Sequence, residues 1–357
     1  MAGPDPEEVA VDIVVDNHDY GRYLAQAVDS ALGQTHPAVR VIVVDDGSTD
    51  DSRRILEAYR NRVDLVLKAN GGQASALNAG FERCSGDVVI FLDADDALTP
   101  DAAAAAAAAF AASPELVKVQ LRMEVIDTAG RRTGAVKPAA HLGLPQGDVS
   151  RAELTFPFDL VWLATSANAF STTALRRLLP IPEEFRSFPD WYLVHLVALL
   201  GPVASLDIVG ALYRVHGANS YEPPVAELDL DHVRQTVAYA AATQRALDRL
   251  ARELGRAAPG PGPLSVSDLA NRLISLRLEP GLHPRSGDTV GALMRDGVRA
   301  ALRRFDVGPP LRLAAAAWFV ALAAAPTRAV TPLAEVFLFP ERRQRLNRVL
   351  RPLHRRP

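Results

Sequence analysis

Asp93, Asp95 and Asp96 stand directly after an apolar run at residues 88–92. The arrangement recurs twice upstream. Asp45 and Asp46, with Gly47 and Ser48, follow the run at 39–44, and Asp16, Asn17, His18 and Asp19 follow the run at 11–15. Carboxylates gathered on one rim repel each other, and such clusters persist where a cation or hydrogen-bond donors offset the repulsion. A divalent metal is the economical answer. Hard oxygen ligands suit Mg or Mn, which keep waters and bridge to the phosphates of a substrate. Asn70, Gly71, Gly72 and Gln73 add a Gly-rich turn at the start of a helical segment, where backbone can approach a ligand closely, although an ordinary strand-to-helix turn has the same composition.

For these side chains to meet, the apolar runs must be neighbouring strands. Runs at 11–15, 39–44, 63–67 and 88–92 alternate with amphipathic segments at 23–32, 52–60 and 73–83, the pattern of βα units in a mostly parallel sheet. Ligands of such sheets bind outside the carboxyl ends of the strands, which is where the acidic residues fall. Ser48 and Asp51 are spaced as a capping box for the second helix. The alanine-rich stretch 101–109 is a helix by propensity, residues 130–157 are irregular, and helical spacing resumes at 171–179 and 190–200. From about Glu222 the character changes. Leu230, Val233, Val237, Ala240, Leu247 and Ala251 recur at helical spacing, Gly255 stops the helix, and 259–263 reads as a linker. The expected organisation is an α/β domain at 1–225 followed by a helical C-terminal region at 226–357.

Composition narrows the function classes. A chain of 357 residues with 48% hydrophobic residues, 23% charged residues and a net charge of −3 has the makeup of a folded protein without a basic excess for nucleic acid. One cysteine, Cys84, excludes an intrachain disulfide and a cysteine-based zinc site. Residues 1–15 carry no Lys or Arg, so no export signal is predicted, and no apolar run reaches the ~18 residues of a membrane span. The expected location is cytoplasmic, or the inner face of a membrane. The first strand is followed by Asp-Asn-His-Asp-Tyr-Gly rather than G-x-G-x-x-G, and no G-x-x-x-x-G-K-[ST] occurs, so dinucleotide and P-loop sites lose support.

Residues 41–52 (VIVVDDGSTDDS), 70–80 (NGGQASALNAG) and 88–96 (VVIFLDADD), taken in order, resemble the family 2 glycosyltransferases of GT-A fold. Residues 20–24 (YGRYL), 179–183 (LPIPE), 190–193 (DWYL) and 213–220 (YRVHGANS) extend the resemblance over roughly residues 10–220. It implies inverting transfer of a sugar from a nucleoside diphosphate, usually UDP, to the hydroxyl of a carbohydrate or lipid-linked acceptor. By the same resemblance Asp46 faces the nucleobase and Asp16 flanks it, Asn70, Gly71 and Gln73 belong to the donor-binding loop, and Asp93 and Asp95 form the D-x-D pair. His216 becomes a third metal ligand or diphosphate contact. Arg214 either neutralises the diphosphate or pairs with a carboxylate.

An attacking hydroxyl must lose its proton, and the resemblance gives that task to Asp190, whose alternative role is a helix N-cap. Two departures stand out. Asp16 to Asp19 replace the Pro-Thr-Tyr-Asn frequent in relatives and put extra carboxylates beside the base, and Ala167 replaces a glycine expected near the acceptor entrance. A catalytically silent sugar-nucleotide-binding or scaffolding protein is the alternative function. From Arg328 onward eight arginines face two glutamates, which suggests peripheral contact with an anionic membrane or packing in a homo-oligomer.

Overall fold

Val11–Asn17 (β1) is buried at all seven residues because it lies between two parallel neighbours, Val39–Asp46 (β2) and Val88–Asp93 (β4), with Asp64–Lys68 (β3) outside β2. Strands buried on both faces read as continuous Val/Ile/Leu runs rather than alternating ones. The register sets Asp16 beside Asp93 and Asn17 beside Asp45, so the acidic termini of three strands share one edge. Gly21–Leu32 (α1), Ser52–Leu56 (α2) and Gln73–Phe81 (α3) make the crossovers. The structure is a computed structural model that describes residues 5–139, 142–217, 219, 228–256, 264–304 and 306–339.

Beyond β4 come Ala97–Leu98 (β5), Ala102–Ala112 (α4), Lys118–Ile126 (β6), Arg132–Lys137 (β7), Ser150–Thr155 (α5), Asn168–Ser171 (β8), Thr172–Leu178 (α6), Pro189–Val197 (α7) and Val203–Arg214 (β9). The nine strands form one mixed sheet in the order β3-β2-β1-β4-β8-β6-β9-β5, with β7 on β6. β8 runs antiparallel to both β4 and β6, and the sheet is parallel only in its first half and between β6 and β9. In α4 the buried positions are Ala102, Ala103, Ala106, Ala107, Phe110 and Ala111. A methyl-sized face lets the helix lie close to its neighbours, which accounts for the alanine run without a functional role.

The Ser48–Asp51 capping box does not form. The Asp51 carboxylate caps no backbone N–H of α2 and accepts the Arg54 guanidinium at 2.8 Å, while Ser48 Oγ accepts the Asn17 amide at 3.0 Å and the Asp19 N–H at 3.0 Å. The β2–α2 loop is thus tied to the β1 terminus.

Two compact units are present. The first comprises Met1–Glu153, Leu160–Glu222 and Arg245–Ala257, and the second Leu154–Asp159, Pro223–Gln244 and Ala258–Pro357. The expected boundary near residue 225 and the linker at 259–263 lie outside the described residues. In Leu230–Glu253 (α8), Val233, Val237, Ala240, Leu247 and Ala251 are buried, as the periodicity predicts. Val266–Leu278 (α9), Val290–Arg303 (α10), Pro309–Ala324 (α11) and Thr327–Leu338 (α12) share a core around Phe319 and Leu273. Gly297 in α10 admits the Phe319 ring, since a Cβ there would come within 2.2 Å of it. Among the described residues no helix is long and apolar enough to cross a membrane.

Candidate active site

The termini of β1 and β4 carry the acidic cluster. Asp93, Asp95 and Asp96 offer oxygens within 4.8 Å of one another, and no other group of three His, Cys, Asp or Glu side chains converges in this way among the described residues. Burial, then the charge of Asp95, pushes the Asp16 carboxyl up to about 8. Asp93 is pushed well above the ordinary carboxylate range by burial and by Asp16, Asp96, Asp95 and Asp190. Asp96 is raised by burial and by Asp95. Asp16 Oδ1 and Asp96 Oδ2 are buried without hydrogen-bond partners. Crowded hard oxygens, two of them unsatisfied, fit a divalent cation, whose charge would offset both the desolvation and the repulsion.

The neighbours of the cluster hold it in place. Gln73 Nε2 donates to Asp93 at 2.7 Å from the first turn of α3, and the Asp93 N–H donates to Ser166 Oγ at 3.2 Å. His216 Nε2 lies 2.9 Å from Asp95 Oδ2, with its ring between Tyr23, stacked at 5.4 Å, and Tyr20, edge-on at 5.6 Å. Arg214 is buried and spends its guanidinium elsewhere. It donates to the carbonyls of Asp95 and Asp127 and to Gln26, over the ring of Tyr23, and its own N–H goes to Asp96. The geometry therefore gives Arg214 the work of fixing the Asp95–Asp96 backbone. The carboxylate it serves through its N–H is Asp96, and it does not reach the cavity wall.

On the β2 side, Asp46 accepts the N–H of Gly71 at 2.9 Å and of Gly72 at 2.7 Å and pairs with Lys68. Gly72 has φ +84° and a Cβ there would overlap Arg186, so glycine is required. Gly47, at φ +75°, lies where a Cβ would sit 2.5 Å from Asn70 N. Asn70 bridges His18 at 2.8 Å and Arg186 at 3.0 Å. Asp45 is fully buried and binds Asn17 and Arg53. Asp19 accepts the Thr49 and Asp50 amides, and these bonds hold its carboxyl below the ordinary range. The carboxylates that depart from the Pro-Thr-Tyr-Asn pattern thus serve differently: Asp19 braces the β2–α2 loop, while Asp16 joins the acidic cluster at the termini of β1 and β4.

A cavity of ≈ 540 Å³ opens over these strand termini and is lined by Asp16, Asp46, Gln73, Asp93, Asp95 and Asp190, all expected from sequence. Asn70, Gly71 and His216, also expected at the site, do not line the cavity; Asn70 contacts His18 and Arg186, and His216 contacts Asp95, all three of these partners being in its wall. Asp190 lies in the first turn of α7, where Oδ1 accepts the Trp191 N–H at 2.9 Å, so it serves the helix terminus and the cavity together. Burial pushes its carboxyl up to about 6, against the pull of Trp191 N–H, His195 and Lys118. Ala167 is wholly buried, and Ala164 and Thr165 line the cavity in its place, so it does not narrow an entrance.

Lys68 and Arg186 were not anticipated. Lys68 ends an unremarkable amphipathic strand, and Arg186 sits in the irregular turn before α7, so neither position carries a local signal; their roles come from contacts with Asp46, Gly72 and Asn70.

Residues 12–152 match the family model "Glycosyl transferase family 2". An uncharacterized glycosyltransferase of Nostoc sp. is 33% identical over 218 residues, which are 59% of this chain and 66% of that protein. Chondroitin synthase of Escherichia coli is 42% identical over 95 residues, 26% of this chain and 14% of that one. The chain spans 66% of the length of the Nostoc relative and 29% of a Rickettsia prowazekii glycosyltransferase that it also matches. Among solved structures, Staphylococcus aureus TarS 1-349 aligns with a TM-score of 0.52 at 18% identity, over 94% of this chain and 91% of that one. The mannosyltransferase PcManGT of Pyrobaculum calidifontis, in complex with GDP-Man and Mn2+, aligns with a TM-score of 0.50 at 19% identity, over 94% and 88%. At these identities the structural likeness speaks for the fold, which is the GT-A type anticipated from the motifs. The matched motifs, the family model and that fold agree, and residues 12–152 form a glycosyl transferase family 2 domain.

Proposed function

We propose that this protein transfers a glycosyl group from a nucleoside diphosphate sugar, UDP-linked, to an acceptor hydroxyl with inversion, in the presence of Mn or Mg. One observation carries the reading: Asp93, Asp95 and Asp96 converge within 4.8 Å at a cavity that Asp190 also lines. A TarS structure in complex with UDP-GlcNAc and the PcManGT complex with GDP-Man and Mn2+ share the fold and support a nucleotide-sugar donor.

In this reading Asp93 and Asp95, with Asp96 and His216 beside them, would hold the metal, which would supply positive charge near the diphosphate. Gln73 orients Asp93, Arg214 fixes the backbone of Asp95 and Asp96, and the Gly71–Gly72 turn shapes the nucleotide pocket against Asp46. Asp190 takes the proton of the acceptor hydroxyl. The freed oxygen bonds to the anomeric carbon as the bond to the diphosphate oxygen breaks, and one displacement inverts that carbon. Leu311, Leu313 and Val320 are exposed on α11, which favours a lipid-linked acceptor met at a membrane surface.

Thermal shift against a panel of nucleotide sugars tests the donor assignment, since ligand binding to the native state raises apparent stability by mass action. UDP-sugars are expected to raise Tm with Mn and not with EDTA. A panel in which no nucleotide sugar shifts Tm under either condition contradicts it.

A further inference from the structure

Arg186 stands in the wall of the cavity with the carboxylates of Asp16, Asp19, Asp46, Asp93, Asp95 and Asp190, and among the described residues it is the single arginine or lysine there. Its place is built into the fold. Phe185 and Phe188 are buried and fix the turn on either side of it, and the Arg186 carbonyl accepts the Ala74 N–H at 3.1 Å from the first turn of α3. The side chain then lies across Gly72, where a Cβ would come within 2.3 Å of the Arg186 Cγ and 2.7 Å of its Nε. Glycine at position 72 is what leaves room for the arginine stem.

The guanidinium keeps its charge unspent. Among the described residues it makes one hydrogen bond, from Nη2 to the Asn70 amide oxygen at 3.0 Å, and no ion pair. Asn70 is held in that orientation by its own amide nitrogen, 2.8 Å from His18 Nε2. Neighbouring charges are already committed: Lys68 pairs with Asp46, and Glu184, two residues before Arg186, pairs with Arg245 at 2.9 Å. A neutral partner orients the guanidinium without neutralising it and leaves its other N–H donors for a ligand.

We propose that Arg186 is a substrate-binding residue that grips the diphosphate of the donor, an inference that rests on the donor being a nucleoside diphosphate sugar. The carboxylates of the wall repel phosphate, and a single divalent ion must also offset the carboxylates that hold it, so a second cation is needed. A guanidinium presents paired N–H groups that match two phosphate oxygens. When the bond from the anomeric carbon breaks, its electron pair goes to the phosphate oxygen, and the arginine offsets the charge that develops there. Arg186 exchanges no proton in the step.

Isothermal titration of the full-length protein with inorganic pyrophosphate and with UDP, each in Mn, tests this. Arg186→Gln keeps a donor for Asn70 and removes the charge. It is expected to weaken both ligands about 10- to 100-fold, the effect of losing hydrogen bonds between charged groups, while Mn alone binds it as it binds wild type. Unchanged pyrophosphate affinity in Arg186→Gln overturns the proposal, as does a wild-type protein that binds no pyrophosphate in Mn. A parallel loss of Mn affinity also overturns it, since Arg186 would then be shaping the acidic cluster rather than meeting the ligand. Should Arg186→Gln fail to fold, Arg186→Ala, which also unloads Gly72, is read by the same criteria. If pyrophosphate binding depends on Arg186 and UDP does not bind at all, the UDP reading of the donor fails while the role of the arginine stands.

Discussion

The Asp46 carboxylate accepts the Gly72 N–H at 2.7 Å across 26 residues of chain, tying the terminus of β2 to the start of α3. The bond requires Gly72 at φ +84°, with the Arg186 side chain packed where a Cβ would project. Gly72→Ala is therefore expected to lower stability by about 1–3 kcal/mol through backbone strain and overlap, and to weaken nucleotide binding more than tenfold. Adding Arg186→Ala relieves the overlap but not the strain. Chemical denaturation of the single and double variants checks this: full recovery in the double variant would show that φ does not matter.

Asp95 holds His216 at 2.9 Å and shares the cluster with Asp93 and Asp96. Asp95→Asn should keep the fold, since Arg214 grips the Asp95 carbonyl rather than its side chain, and should lose Mn binding by isothermal titration. Retained Mn affinity would move the metal away from this cluster.

The metal-free protein should lose stability as pH rises. Asp16 is pushed from an ordinary 3.8 up to about 8, and Asp93 and Asp96 are pushed well above that ordinary value, burial being the largest cause in each. The folded protein therefore binds protons that the unfolded chain has already released, so this contribution is fully present below about pH 4 and disappears as pH climbs toward 8. Mn offsets the carboxylate repulsion, and the Tm gain from Mn should grow between pH 5 and 8. A gain that is flat or shrinks with pH contradicts this picture.

Legibility in the sequence followed the chemistry of burial. β1, β2 and β4 read as apolar runs because both faces are covered, and their register alone brings Asp16 to Asp93. β6 did not stand out, because Lys118, Gln120 and Arg122 occupy buried positions along it. Polar residues there hide the strand. Asp93, Asp95 and Asp190 could be located from the family motifs. What Arg214 does could not, since its partners are backbone carbonyls at positions 95 and 127 and the side chain of Gln26. The same holds for Ser48, whose partners lie on β1 and in the loop that follows it.

Leu311, Leu313 and Val320 on α11 and the exposed Arg328 lie in the second unit, while the arginines from 342 onward fall outside the described residues. Co-sedimentation with vesicles containing acidic lipid should pellet the full chain at low salt and release it at high salt. Replacing Leu311 and Leu313 by Ser should reduce pelleting. Equal pelleting on neutral and acidic vesicles at both salt concentrations would remove membrane contact from the account.

Nucleoside diphosphate release from UDP-sugars without acceptor, by wild type, Asp95→Asn and Asp190→Asn, bears most directly on the account's central claim. Wild type should release UDP slowly in Mn and stop in EDTA. Asp95→Asn should be inactive, and Asp190→Asn should fall by about 10²–10⁴ in kcat with nearly unchanged donor KM. Release that persists in EDTA and in both variants, or no release from any nucleotide sugar, would contradict metal-dependent transfer at this site.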